Sequence, residues 1–495
     1  MTIVEILERN TELFSEKTAI LFGERRISYN TLYERTNALA NFLLQNGLNK
    51  GERVGLLVLK CPEAIISFLG VAAAGGIVFP IDYNQTHANI QFILDLTRPS
   101  FIIVDSTFCQ LLSHLRLPCS KEKIITIGKE EDCYRPWDTI LAQEPITPPG
   151  ITILDNDPVY LNFTSGTTGV PKGAVTTHAN IYWNTRASIE SFHLTSEDIH
   201  LCMFPIFTHP HELFARPLSL GGTIVLTDNI YPKSIAKVIS NHSVTCLMAI
   251  SALYEALMRL YGYAPFDLSS LRIAESGGMH TNPTLVQKFK ESFGIPISPV
   301  WGSTETTGIS IATPIDRGYK AGSMGTSCPH YEVKIVGEDG EELPPDEIGE
   351  MIIRGPAVCS EYFNQPDETK RCMKDGWYFT GDLVKMDSDG YFFFMSRKAG
   401  MMKVGGMKVF PIEIEDVLMS HPQIAEAAVF KVQDQTHGEV PKALIVIKEG
   451  MELSTAEVRR YCEERLAKYK IPRIIEFTPQ LPRNPGGKIL YRELA

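Results

Sequence analysis

Apolar and polar positions along the chain change period several times, and each period predicts an element. From Asn30 to Asn46 the spacing is helical: Leu32, Leu39 and Leu43 share one face, and Gly47 ends the run. Val54 to Leu59 is a short unbroken apolar run, as in a strand covered on both faces. Phe101–Val104 and Ile124–Ile127 read the same way, and Val159–Phe163 is also strand-like. Ala64 to Ile81 is apolar apart from Ser67, long enough to raise the question of a membrane span. It contains Gly70, Gly75, Gly76 and Pro80, and is bracketed by Glu63 and Asp82, so a buried helix, a turn and a strand fit better. This alternation of helix and strand predicts an α/β fold of layered, largely parallel sheets flanked by helices.

After Gly349 the pattern shifts. Glu350–Arg354 and Tyr391–Met395 are short strand-like runs separated by turns such as Asp387-Ser388-Asp389-Gly390, predicting an antiparallel region. Beyond Arg397 a small α+β unit is expected. Its helices are Ile412–Met419 and Ala456–Leu466, the latter with Val458, Cys462 and Leu466 in phase, and its strands are Ala427–Val432 and Ala443–Ile447. A hinge is expected at Lys398–Gly400, ahead of the pair Gly405-Gly406. The expected division is residues 1–397 and 398–495.

Composition narrows the function class. With 495 residues, 44% apolar and 21% charged, the chain is globular and larger than one ordinary domain. A net charge of −11 gives no electrostatic reason to expect a nucleic-acid partner, but leaves room for a local anion site. The ten cysteines include no CxxC pair, so idle thiols in an intracellular protein are expected rather than a zinc site. The first residues show no signal pattern and the last no anchor, which points to a cytoplasmic protein without stable membrane insertion.

Candidate chemistry concentrates at Thr164-Ser165-Gly166-Thr167-Thr168-Gly169-Val170-Pro171-Lys172-Gly173. Hydroxyls, glycine backbone N–H groups and a lysine in one loop can wrap a phosphate. Lys172 is followed by Gly173 and no helical pattern begins there, so this is not the strand-loop-helix phosphate loop.

The decapeptide resembles the signature of the adenylate-forming (AMP-binding) superfamily, which includes acyl- and aryl-CoA synthetases. Four further segments resemble that family's motifs in order. They are Trp301-Gly302-Ser303-Thr304-Glu305-Thr306, Tyr378-Phe379-Thr380-Gly381-Asp382, Ser396-Arg397 with Lys403-Val404-Gly405-Gly406 and Pro411–Glu415, and Pro485-Gly486-Gly487-Lys488. The resemblance implies an ATP/AMP site made by Thr164, Ser165, Gly166, Thr167, Thr168, Gly169, Lys172, Gly277, Gly278, Trp301, Gly302, Thr304, Asp382, Arg397 and Lys488. Lys172, Glu305 and Lys488 would be catalytic, with Glu305 a ligand of Mg²⁺, Asp382 and Arg397 partners of the ribose, and Lys488 a neutraliser of charge at the α-phosphate. Lys403, Gly405 and Gly406 would line the CoA path. Phe207, His209, Met279 and Trp301 would form an apolar acid pocket.

Three departures from the family pattern stand out. The histidine of Pro205-Ile206-Phe207-Thr208-His209 is displaced by one, the hinge carries Ala399 in place of a polar residue, and Trp301 replaces a tyrosine. No Asp lies between Cys202 and Leu226 to pair with a substrate amine, and Glu212 is a weak stand-in, which disfavours amino-acid substrates. The resemblance therefore implies an AMP-forming acid–CoA ligase for a medium-chain, alicyclic or aromatic acid. It would use ATP and CoA as co-substrates with Mg²⁺, in fatty-acid or related metabolism, as a monomer or homodimer. A freestanding enzyme loading a carrier protein is the alternative, and a non-catalytic nucleotide sensor a weaker one.

Overall fold

The structure, a computed structural model, describes residues 1–128, 134–165, 171–263, 266–434, 438–483, 489–491 and 494. Among them the strands form four sheets. The first has seven strands in the order Arg135–Pro136, Ile124–Ile127, Phe101–Asp105, Arg53–Leu57, Ile77–Pro80, Pro158–Ser165 and Pro171–Thr177. All pairs are parallel except the last, an antiparallel hairpin. The second has nine strands, with Ile297–Ser303, Ile273–Ser276, Cys246–Ala249, Ile199–Cys202, Thr223–Leu226 and Thr18–Phe22 parallel in the middle and antiparallel strands at both edges. The largely parallel reading therefore holds, with antiparallel pairs confined to one edge of the first sheet and both edges of the second.

The apolar run at Ala64–Ile81 resolves into a helix, Pro62–Ala73, with every residue buried, then a turn and the buried strand Ile77–Pro80. No described helix is long and apolar enough to cross a membrane. The Asn30–Asn46 pattern is the helix Tyr29–Gln45, whose N-cap Ser28 accepts from Thr31 N–H.

The third sheet is the predicted antiparallel region, built from Glu332–Val336, Gly349–Arg354, Trp377–Met386, Met373–Lys374 and Phe392–Arg397. The fourth lies in the C-terminal unit and joins Met407–Val409, Met402–Val404, Gly438–Ile447, Ile424–Asp434 and Ile474–Phe477. Helices Pro411–Met419 and Thr455–Glu463 pack on it around a separate core that includes Met402, Ile414, Leu418, Val429, Ile445, Val458 and Cys462. The second helix stops at Glu463, three residues short of the sequence pattern, yet Leu466 still packs against that core. Eight described cysteines are free thiols, but Cys109 is disulfide-bonded, which corrects the expectation of idle thiols throughout.

Among the described residues, several side chains link the C-terminal unit to the rest. His280 Nε2 lies 3.0 Å from Asp416 Oδ1, Lys408 Nζ 3.5 Å from Glu338, and Arg483 reaches the sulfur of Met279 at 3.9 Å.

Candidate active site

The Thr-Ser-Gly loop is the tip of the hairpin Pro158–Ser165/Pro171–Thr177. Thr164 pairs in register with Lys172, and Ser165 with Pro171. The predicted residues Gly166, Thr167, Thr168 and Gly169 lie outside the described residues, as does Lys488. The chain returns from this loop as the strand Pro171–Thr177, not as a helix.

Lys172 is 5% exposed. Its ammonium is paired with Glu368 and sits 5.7 Å from the centroid of the Tyr362 ring. The Tyr362 hydroxyl donates to Glu305 Oε1 at 2.5 Å, so Lys172 and Glu305 meet through one tyrosine. Burial, with Glu305 alongside, pushes the Tyr362 phenol far above its ordinary pKa, which keeps it a donor. Glu305 is itself buried, and its backbone carbonyl accepts from Cys359 N–H at 2.8 Å.

Glu305 lies in the turn between antiparallel strands Ile297–Ser303 and Gly308–Ala312. Ser303 N–H donates to Thr306 Oγ1 and Thr306 N–H to Ser303 Oγ, closing the turn, while Thr304 is buried beside it. At Gly302 a Cβ would come 2.4 Å from the carbonyl oxygen of Gly308, so only glycine lets the two strands approach. The same bulged pairing directs Trp301 towards the third sheet. There its indole Nε1 donates to Asp382 Oδ2 at 2.9 Å.

Asp382 is 1% exposed. Its register partner on the next strand is Arg397, whose Nε lies 2.8 Å from Asp382 Oδ1. Arg397 also donates to Thr380 O at 3.2 Å. The structure thus brings Trp301, Asp382 and Arg397 together on adjoining sheets. Gly277 and Gly278 follow the buried strand Ile273–Ser276, and nothing would lie within 4 Å of a Cβ on Gly278, which leaves its backbone open to a ligand.

Each of the predicted acid-pocket residues has a described environment of its own. Trp301 is engaged by Asp382, Met279 is met by Arg483, and Phe207 packs edge-on against Tyr83 at 5.1 Å. His209 Nδ1 is sealed from solvent with no hydrogen-bond partner. Burial lowers its pKa, opposed by the charges of Glu212 and Glu305. His211 is hydrogen-bonded to Tyr160 Oη at 2.8 Å and to Asn184 Oδ1 at 3.4 Å, and burial brings it down to about 4, so it is a neutral tether.

Gly405 and Gly406 form the tip of the hairpin Met402–Val404/Met407–Val409, with φ of +56° and +84°. A two-residue turn with both φ positive demands this pair, whatever else it touches. Lys403 is exposed, and its backbone N–H donates to Glu439.

Sequence reasoning missed Tyr362 and Glu368, which carry no local signal. It also missed Arg216 and Glu275, for which a signal exists: each is a charge set in an apolar run, Leu-Phe-Ala-Arg-Pro-Leu and Arg-Ile-Ala-Glu-Ser. Arg216 Nη1 lies 2.7 and 2.9 Å from the two oxygens of Glu275, and both residues are buried.

A single buried carboxylate, Glu305, suits Mg²⁺, which takes one or two protein carboxylates beside substrate phosphates and water. Among the described residues no group of three or more His, Cys, Asp or Glu side chains makes an all-protein metal cage.

A layered α/β body with a glycine-rich hairpin tip, a buried carboxylate and an Asp–Arg pair defines a nucleotide-dependent enzyme. The chain belongs to the AMP-binding enzyme family: the family model matches residues 7–363, and that of the AMP-binding enzyme C-terminal domain matches residues 413–488. It is 32% identical to the long-chain-fatty-acid–CoA ligase of Bacillus subtilis, across 100% of this chain and 94% of that protein. It is 31% identical to the indoleacetate–CoA ligase of Aromatoleum aromaticum, across 99% and 96%. Among solved structures it is similar to the anthranilate CoA ligase AuaEII in complex with anthranoyl-AMP. That match has a TM-score of 0.93 and 29% identity, and covers 100% of this chain and 96% of that one.

Proposed function

We propose that the protein is an AMP-forming acid–CoA ligase acting on a medium-chain, alicyclic or aromatic carboxylic acid. A carboxylate oxygen attacks the α-phosphorus of ATP, the bond to pyrophosphate breaks, and an acyl-AMP results. The CoA sulfur then attacks the acyl carbon, and AMP leaves. The observation that carries this reading is the Trp301–Asp382–Arg397 cluster one turn from Glu305, with hydrogen-bonding groups for a ribose beside a carboxylate for the metal.

Asp382 and Arg397 hold the ribose, Gly277 and the open backbone of Gly278 face the base, and Lys172 with Thr164–Gly169 holds phosphates. Glu305 would hold Mg²⁺, which neutralises triphosphate charge as pyrophosphate departs. Lys488 supplies a cation at the α-phosphate during the first step. Lys403, Gly405 and Gly406 flank the thiol's approach in the second step, and the chain divides at 397/398 into a body and a moving unit.

The test measures pyrophosphate release over an acid panel, then thioester formation with free CoA against a phosphopantetheinylated carrier. Thioester with free CoA is expected. Transfer to the carrier alone, or activation confined to amino acids, overturns the reading.

A further inference from the structure

The segment after Cys359 runs along the strand Pro171–Thr177. Val175 N–H donates to Glu361 O at 3.0 Å and Phe363 N–H to Gly173 O at 2.8 Å, with Tyr362 bridged to Ala174 between them. Gln365 then clasps the start of the strand: its Nε2 donates to Pro171 O at 3.1 Å and its Oε1 accepts from Gly173 N–H at 3.4 Å. Helix Pro366–Cys372 begins directly after, and its first turn carries Glu368. One arm therefore delivers two side chains to one place, the Tyr362 hydroxyl to Glu305 and the Glu368 carboxylate to Lys172.

The cation that the ligase reading assigns to phosphate is thus already held by a protein carboxylate. The Lys172 side chain is buried, so a counter-ion beside it matters more than it would in water. Lys172 in turn holds the Glu368 carboxyl below the usual carboxylate range. Glu368 has a second partner: Arg371, half-exposed and three residues further along the same helix, pairs with the same carboxylate oxygen. An anion that takes Lys172 therefore leaves Glu368 with Arg371. One anion replaces another at a buried ammonium, and neither charge is stranded without a partner.

We propose, resting on the ligase reading, that Glu368 is a positioning residue acting through Lys172. It holds the ammonium before nucleotide binds, yields it to the phosphates of ATP, and takes it back as pyrophosphate leaves. The exchange sets how tightly phosphate is gripped. A phosphate gains only the difference between its own pairing with Lys172 and the pairing it displaces. Arg371 makes the displacement less costly, because Glu368 stays neutralised after Lys172 has changed partner.

Binding of ATP, pyrophosphate and adenosine to the full chain is measured by calorimetry for the native protein, Glu368→Gln and Arg371→Ala, with thioester formation followed in parallel. Glu368→Gln keeps the shape and removes the competing charge, so ATP and pyrophosphate are expected to bind about tenfold tighter, the scale of one hydrogen bond between charged groups. Arg371→Ala leaves Glu368 with Lys172 alone, so both ligands should bind about threefold weaker, the scale of an exposed ion pair. Adenosine carries no phosphate and should bind all three proteins alike. Opposite shifts from two neighbouring residues mark an exchange of counter-ions, whereas a loosened arm would weaken ATP in both variants. Glu368→Ala, expected to shift binding in the same direction, replaces Glu368→Gln if that variant does not fold. ATP binding unchanged or weaker without the Glu368 charge, tighter in Arg371→Ala, or shifted equally for adenosine overturns the proposal. Failure of the native protein to bind ATP overturns the ligase reading and the proposal together. The expected shifts without any thioester overturn the ligase reading alone.

Discussion

Tyr362 is the residue on which the centre of the site turns. Its hydroxyl donates to Glu305 while its ring carries Lys172. Tyr362→Phe keeps the ring and removes the donor. A hydrogen bond to a charged group contributes about 1.5–3 kcal/mol, so kcat/KM should fall roughly tenfold or more. The Mg²⁺ concentration for half-maximal rate should rise with it. Glu305→Gln should cost about 2–4 kcal/mol of transition-state stabilisation, the scale of one electrostatic contact. Steady-state rates across a Mg²⁺ titration check both; a Tyr362→Phe loss independent of Mg²⁺ would mean the tyrosine only packs. At this scale the sequence was legible where motif residues are contiguous, as at Trp301–Glu305. It was silent on Tyr362 and Glu368, because nothing local marks a side chain that acts on a carboxylate 57 positions away.

Among elements, strand pairing does the positioning. Asp382 faces Arg397 because two antiparallel strands are in that register, and Glu305 is placed by the close approach of strands at Gly302. Gly302→Ala must push the Gly308 carbonyl aside, so acyl-AMP formation should drop by ~10²-fold or more, since small misplacements of catalytic groups have effects of that order. Pyrophosphate exchange with a parallel melting curve distinguishes misplacement from unfolding. Element types were readable from periodicity, because covered strands give unbroken apolar runs and helices give phased ones. Strand ends were not: Ile424–Asp434 and Gly438–Ile447 both outrun their apolar segments, since ladder hydrogen bonds extend pairing past the residues that bury.

The C-terminal unit has its own acid–base signature. Glu415 accepts from Val429 N–H at 2.7 Å and from Tyr491 Oη at 2.8 Å, and burial nonetheless raises its carboxyl to about 7. A raised carboxyl pKa favours the protonated folded state. The unfolded chain therefore ionises first, and stability falls as pH rises from the ordinary carboxylate range to about 7, then levels. Glu415→Gln should stabilise this unit by about 1–2 kcal/mol at pH ~8 and by little at pH ~4, a difference thermal melts at the two pH values will read.

For the whole molecule, a large body and a small unit with a core of its own are joined by a short stretch and by contacts that include His280–Asp416 and Lys408–Glu338. Lys488→Ala should lower acyl-AMP formation by ~10²–10³-fold, again the scale of one electrostatic contact. It should leave conversion of supplied acyl-AMP and CoA to thioester nearly native if the unit presents different faces in the two steps. Equal slowing of both half-reactions would make Lys488 structural or shared.

Arg397 ends the last strand of the third sheet, and the next residue, Lys398, is pinned to it by N–H donation to Gly381 O at 2.8 Å and by an ion pair with Glu350. The turn Arg397–Met401 then closes on the carbonyl of Arg397. Any torque applied by the small unit is therefore delivered to the guanidinium that grips Asp382. If the unit pivots here as proposed, its bearing and the proposed clasp on the sugar share one residue, so the unit's angle and that hold would change as a single mechanical event.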